Sequence, residues 1–146
     1  MARTVRREAA AAFLAQAGEF LESARRNFEE ARYHAAGFDA VQSLINANDA
    51  LTAHVLGAVA SLDHREAVRL HTDVVRILGD ASQRDILKRD LDQRSTFGYL
   101  GATVSRSQAE RVLRDAARFL EWVRRTIGSP ERPPERGRAP SAPRRP

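Results

Sequence analysis

The most regular apolar pattern in the chain lies in residues 105–128, SRSQAERVLRDAARFLEWVRRTIG. Apolar residues recur there every three or four positions, which is the spacing of one face of an α-helix. They are Ala109, Val112, Leu113, Ala116, Phe119, Leu120, Val123 and Ile127. Ser105 and Gln108 have the spacing of a capping box, and Gly128 is typical of the position just beyond a helix. The segment predicts a long amphipathic helix with one face in a core.

Four earlier segments repeat this spacing. Their apolar stripes run through residues 13–31, 41–55, 67–78 and 86–91. The glycines predicted to follow the ends of these helices are Gly37, Gly57, Gly79 and Gly101. Asp63 and Ser82 are predicted to cap the third and fourth helices. No stretch alternates apolar and polar residues for long, so no strand is predicted. The predicted fold class is all-α, an up-and-down bundle of four to five antiparallel helices.

The chain divides by composition into three parts. At 146 residues it has the length of one domain, and all six prolines lie after residue 129. We predict a basic N-terminal arm at 1–8, a helical bundle at 9–128 and a disordered Pro/Arg-rich tail at 129–146. The absence of cysteine excludes disulfides and thiolate chemistry. No apolar run is long enough to cross a membrane, and no convincing secretory signal is present, so a cytoplasmic location is expected.

The formal net charge of +5 is carried by the two ends of the chain. Residues 9–128 hold 16 basic and 16 acidic side chains. If bulk electrostatics attract nucleic acid, the flexible termini are the expected agents. The bundle itself would have to act through a local cleft.

The sequence predicts no metal and no cofactor. None of the four histidines has Asp or Glu three residues before it, which excludes the Glu-x-x-His pattern of di-iron bundles. The glycine-rich motifs that bind nucleotide phosphates are missing as well.

Polar residues interrupt two of the apolar stripes. Arg94 continues the spacing of Leu87 and Leu91, and Asn48 lies within the stripe of the second helix beside Asp49. A buried guanidinium needs a hydrogen-bonding partner, so we hypothesise a contact from Arg94 to Asn48 or Asp49. The alternative is that Arg94 reaches solvent from a helix edge, while Asn48 fixes helix register or packs at a dimer seam.

The order of these features resembles the HEPN (higher eukaryotes and prokaryotes nucleotide-binding) domains, from about residue 13 to residue 127. The segments that carry the resemblance are FLESA at 20–24, ANDALTA at 47–53, DHREAV at 63–68, RSTFGY at 94–99 and AERVLRDAARFLEWV at 109–123. The resemblance implies a four- or five-helix bundle that is often a dimer. Many members are ribonucleases, toxins of toxin–antitoxin pairs, or partners of minimal nucleotidyltransferases.

Catalytic HEPN members use an Arg followed, after four to six residues, by a His, and the two meet at a dimer cleft. Arg94 matches the arginine, but Tyr99 stands where the histidine is expected. A phenol is a poor general base at neutral pH, so Arg94 and Tyr99 are weak catalytic candidates. One literal match exists, Arg65 to His71 on the third helix, and it is the alternative catalytic pair.

The sequence therefore favours a non-catalytic HEPN-like module that binds nucleic acid, a nucleotide or a protein partner through a homodimer groove. The alternatives are a metal-independent, toxin-like endoribonuclease and a structural helical adaptor. The candidate ligand residues are Asn48, Asp49 and Arg94, and the candidate interface anchors are Phe97, Phe119 and Trp122. The resemblance suggests RNA or a nucleotide as ligand, and a nucleotidyltransferase or antitoxin as protein partner.

Overall fold

The computed structural model describes residues 2–60, 63–94, 97 and 103–128. These residues form five α-helices and a short β-ribbon. The helices are α1 (Ala10–Glu29), α2 (Tyr33–Leu56), α3 (His64–Leu78), α4 (Arg84–Asp92) and α5 (Arg106–Ile127), and the strands are β1 (Arg3–Thr4) and β2 (Ala58–Val59). The all-α bundle predicted from the apolar stripes is confirmed. None of the helices in the described part of the chain is long and apolar enough to cross a membrane.

Helix α2 lies at the centre of the bundle and packs against all four other helices. Its residues 47–53 are buried without interruption, including the polar Asn48, Asp49 and Thr52. A helix buried on every side must satisfy its polar groups within the protein. The interior of the bundle therefore contains polar side chains that need hydrogen-bonding partners within the protein.

Small side chains let α1 and α2 approach closely. Ala17 and Ala24 of α1 and Ala36 and Ala40 of α2 are all fully buried. The hydroxyl of Ser43 donates a hydrogen bond of 2.8 Å to the carbonyl oxygen of Ala17, across this contact. Leu, Val and Phe side chains of α5 complete the core on the other side of α2.

The predicted helix ends are confirmed in three places and wrong in one. Gly57 and Gly79 end α2 and α3 with φ of 70° and 75°, and Gly128 follows α5. Gly37 does not end a helix; it lies inside α2, and α1 ends earlier, where Ala31 adopts a φ of 62°. Gly101 lies outside the described residues.

Gly37 has no side chain in the way of the Phe97 ring, which packs closely against α2 at this position. A Cβ placed on it would lie 2.5 Å from the Cδ1 and Cε1 atoms of Phe97, which is fully buried. The glycine thus leaves the space into which this aromatic ring packs against α2.

Two of the three predicted caps are confirmed. Asp63 Oδ1 accepts the backbone N–H groups of Arg65 and Glu66, and Ser105 and Gln108 form the complete capping box of α5. Ser82 does not cap α4, because Gln83 occupies the position before that helix.

The N-terminal arm is docked on the bundle, which corrects the expectation of a flexible N-terminus and of a chain without strands. β1 pairs antiparallel with β2, and Val5 N–H donates to Gly57 O at 3.0 Å. Arg7 Nη1 donates to the carbonyl oxygens of His54 and Val55, at the C-terminal end of α2. A cation at this position also interacts favourably with the helix dipole.

We expect Gly37→Ala to lower the free energy of unfolding by about 2 kcal/mol, because the new methyl group must displace the Phe97 ring from a packed core. Urea denaturation monitored by circular dichroism measures this change.

Gly18→Ala is the matched control within α1. Its added Cβ would meet only the mobile Nη2 end of Arg124, at 3.1 Å. Because alanine favours a helix over glycine by up to about 1 kcal/mol, this variant should be as stable as the parent or more stable. Equal effects of the two substitutions would show that Phe97 does not occupy the space beside Gly37.

Candidate functional site

A buried polar pair joins α2 to α3. His71 Nδ1 lies 3.0 Å from Asn48 Oδ1, and Asn48 Nδ2 donates to the carbonyl oxygen of Ala67 at 3.2 Å. Because the amide nitrogen points to that carbonyl, the amide oxygen faces His71, and Nδ1 of the histidine carries the proton. Asn48, predicted as a ligand residue, therefore has both of its polar atoms engaged inside the protein.

The surroundings of His71 keep its imidazole neutral. The ring is fully buried, and it lies 5.8 Å from the ring centroids of both Phe119 and Trp122. Burial, reinforced by the positive charge of Arg84, lowers the pKa of His71 from 6.5 to about 4, although Asp80 acts in the opposite direction. Nε2 is buried without a hydrogen-bond partner among the described residues.

The structure does not bring the alternative catalytic pair together. Arg65 is exposed on α3, whereas His71 lies on its buried face. An imidazole that is buried and neutral in this way has no access to a substrate in solution.

The three aromatic residues proposed as interface anchors belong to the core of a single chain. Phe97 and Phe119 are fully buried, and Trp122 is 6% exposed. Trp122 Nε1 donates to Asp80 Oδ2 at 2.9 Å, which ties the α3–α4 connection to α5. The backbone N–H of Ser82 and this indole N–H lower the pKa of Asp80 to about 2. These aromatic surfaces are not open to a second molecule.

Asp49 faces the N-terminal arm. It is 6% exposed, and burial raises its pKa to about 7 against the opposing effects of the Ala60 backbone N–H and the Arg3 charge. Neither Asp49 nor Asn48 forms a hydrogen bond or ion pair with Arg94 within the described residues. Asp49 instead lies where β1, β2 and α2 meet.

Arg94 lies two residues beyond the end of α4 and is half-buried, with no ion pair to a described carboxylate. The residue before it, Gln93, accepts a hydrogen bond of 2.8 Å from Arg111 Nη2. This bond places the end of α4 beside the first half of α5. Tyr99, the proposed partner of Arg94, lies outside the described residues.

A line of arginines runs along α5 on this side of the bundle. Arg111, Arg114 and Arg118 are spaced three and four residues apart, so they share one face of the helix. Arg114 and Arg118 are exposed, and no ion pair joins any of the three to a carboxylate in the described ranges. We call Arg94, Arg111, Arg114 and Arg118 the arginine surface.

A concave region along α1 has balanced charges. This open groove, of about 850 Å³, is lined by Glu19, Glu22 and Glu30 together with Arg26, Arg32 and Arg124. Arg26 and Arg32 are already paired with Glu22 and Glu30. The arginine surface, whose cations lack such partners, is the better candidate for an anionic ligand.

Sequence reasoning missed the three arginines of α5, although their spacing was visible. Their face lies beside the apolar stripe of the helix, which is the stronger periodic signal in the sequence. No group of three or more His, Asp or Glu side chains suited to a metal ion occurs in the part of the chain that the structure describes.

The buried His71 predicts a pH-dependent stability. Because its pKa is lower in the folded chain than in the unfolded one, its contribution is full above pH 6.5 and is lost as the pH falls toward 4. Compared with His71→Gln, which stays neutral, the wild-type chain should lose about 3 kcal/mol of unfolding free energy between pH 7 and pH 4. Urea denaturation at a series of pH values measures the difference.

The comparison must be made between the two proteins, since Asp49 and Asp90 have the opposite effect. Their raised pKa values add stability at low pH that is lost as the pH rises from about 4 to about 7. Both proteins contain these acids, so their effect cancels in the difference. Parallel pH profiles for wild type and His71→Gln would contradict a neutral, buried His71.

The comparison with known families assigns the chain to a family of helical domains. A search of curated proteins finds no match to the chain. The sequence matches the HEPN domain over residues 10–126, a range that begins with α1 and extends almost to the end of α5. The match covers most of the chain and all five described helices. The chain belongs to the HEPN domain family.

Proposed function

We propose that this HEPN domain binds RNA without cleaving it, through the arginine surface beyond the end of α4 and along α5. The observation that carries the proposal is a line of three arginines on one face of α5, with Arg94 beside Gln93 at the adjoining end of α4. None of the four forms an ion pair with a carboxylate among the described residues, in a bundle whose 16 basic and 16 acidic side chains balance overall. Cations of this kind gain affinity for phosphate by releasing counterions from a polynucleotide.

The length of the arginine surface favours a polynucleotide over a single nucleotide. Arg111 and Arg118 are seven residues apart, which corresponds to about 10 Å along the helix axis. Phosphates of one strand in a duplex advance by about 3.4 Å each, so this line of charges exceeds the spacing of two phosphates. Planar guanidinium groups also bind phosphate oxygens in pairs and stack on bases.

The burial of His71 supports binding without catalysis. Cleavage of RNA next to a 2′-hydroxyl needs an accessible group that accepts and returns a proton. The histidine of the literal Arg65–His71 match is enclosed by Asn48, Phe119 and Trp122. The arginine surface therefore supplies charge and hydrogen-bond donors, and no histidine accompanies it in α4 or α5.

Several partner assignments remain predictions. The homodimer, the toxin–antitoxin association and a nucleotidyltransferase or antitoxin partner follow from the family resemblance. The proposed RNA site lies on one chain and does not require them.

We expect Arg114→Gln combined with Arg118→Gln to weaken binding of a single-stranded RNA at least tenfold at low salt. The slope of log affinity against log salt should fall by about 1.4, since each lost phosphate contact on a single strand contributes about 0.7. Fluorescence anisotropy of a labelled oligonucleotide, with the full chain, measures both quantities.

Arg25→Gln combined with Arg26→Gln is the matched control, because it removes the same charge from exposed positions of α1. It should leave the slope close to that of the parent. A third variant replaces the five arginines of residues 129–146 with glutamine. Loss of binding in this variant, with none in the α5 variant, would assign the RNA to the tail and refute the proposal.

We expect a labelled RNA to remain intact when it is incubated with the full chain in the absence of divalent metal, as judged by denaturing gel electrophoresis. The reason is that His71 is fully buried and that the sequence from residue 84 to residue 128 contains no histidine. Cleavage that disappears in Arg94→Ala and persists in His71→Ala would instead identify a ribonuclease that acts through Arg94.

A further inference from the structure

Two carboxyl groups are buried against each other between α4 and α5. Asp90 is fully buried and Asp115 is 4% exposed. Arg89 is the cation that serves both: its Nη2 lies 2.5 Å from Asp115 Oδ2, and its Nε lies 3.5 Å from Asp90 Oδ1. One guanidinium, itself about half exposed, therefore faces two buried acids.

The hydrogen-bond pattern indicates that a proton is shared within this pair. Asp90 Oδ2 is buried, and no donor bonds to it among the described residues. A carboxyl oxygen in the interior is normally hydrogen-bonded, and a proton on Asp90 provides a donor for the carboxylate of Asp115. Burial first, and then the hydrogen bond and charge of Asp115, raise the pKa of Asp90 to about 7, although Arg89 opposes the shift.

The pair lies beside the arginine surface. Asp90 is three residues before Gln93, which is bonded to Arg111, and Asp115 is four residues after Arg111 on the same helix. Asp115 also lies between Arg114 and Arg118 along α5. The charged groups that act most strongly on Asp90 are Arg89 from α4 and Asp115 from α5, and Arg111 of α5 faces the same seam. A change in the charge of the pair therefore changes the affinity of these arginines for an anion.

We propose that the Asp90–Asp115 pair is a proton-linked regulator of the arginine surface, so that RNA binding is coupled to the uptake of one proton between the two carboxyl groups. This inference rests on the proposed function. With the proton in place, the pair carries a single negative charge, which Arg89 balances. Without it, the pair carries two negative charges, and the second one repels the phosphates of the RNA.

The coupling is reciprocal and of moderate size. If protonation of the pair raises the affinity for an anion by some factor, then a bound anion raises the proton affinity of the pair by the same factor. One unit charge, acting over about 10 Å at an effective dielectric constant of about 40, changes affinity about fourfold. RNA binding should therefore be stronger below neutral pH and weaker above it.

The first test compares wild type with Asp90→Asn, which has the shape of the protonated acid and cannot ionise. RNA affinity is measured by anisotropy from pH 5.5 to 8.5 at constant ionic strength. Wild-type affinity should fall about fourfold more than that of Asp90→Asn over this range. Asp115→Asn, which removes the hydrogen bond and the charge that raise the pKa of Asp90, should move the wild-type pH dependence to lower pH and serves as a second variant if Asp90→Asn folds poorly.

Asp92→Asn is the matched control. This acid is exposed on the same helix and paired with Lys88 at 3.1 Å, so its loss changes the net charge equally and leaves the buried pair intact. It should retain the wild-type pH dependence. Protonation of histidines elsewhere is common to all four proteins and cancels in the comparison.

A second measurement follows the proton without RNA. The ¹³C chemical shift of the Asp90 carboxyl in the free, full chain should titrate close to neutral pH, and addition of RNA should raise its midpoint by about 0.6 pH units, the logarithm of the fourfold change. Titration of Asp90 in the ordinary acid range would overturn the inference.

The outcomes also separate the two proposals. RNA binding whose pH dependence is the same in wild type and Asp90→Asn overturns the proton linkage and leaves the proposed function standing. Failure of the wild-type chain to bind RNA overturns both, even if the carboxyl group titrates as expected.

Discussion

The structure depends on the enclosure of residues 47–53 of α2. Every other described helix packs against α2, and all seven of these residues are buried. Apolar and small residues satisfy this condition easily, but Asn48 and Asp49 do so only with specific partners. The Asn48–His71 hydrogen bond joins α3 to α2, and Asp49 interacts with Arg3 and with the backbone of Ala60, beside the two strands. Burial of one helix thus decides where three other elements are placed.

Much of this fold was predictable from periodicity. The stripe from Ala109 to Ile127 and the capping box at Ser105 and Gln108 placed α5 almost to the residue, because amphipathic spacing and local caps are properties of short segments. Gly37 was misjudged because a glycine inside a helix and one beyond its end look alike in sequence. Only the Phe97 ring, sixty residues later, distinguishes them. The β-ribbon was missed because strands of two residues have no detectable alternation.

The candidate site was less predictable, and for a physical reason. Asn48 and His71 each interrupt an apolar stripe, which indicates burial, but which two interruptions face each other is determined by helix packing. Asp115 likewise lies between Val112, Ala116 and Phe119, and Asp90 lies beside Leu87 and Leu91. A search for polar residues within stripes would have found all four as candidates for pairing. Arg94 was predicted as a site residue instead, because the family resemblance assigns a function to that position.

The docked N-terminal arm also bears on how the chain folds. Residues 3–4 pair with residues 58–59, and Arg7 binds the last carbonyl groups of α2. These contacts join positions separated by about fifty residues, so closing them carries a loop entropy that must be offset by the α1–α2 hairpin between them. The arm has nothing to bind until α2 is complete. Residues 3–7 are therefore held in place only after the central helix has formed.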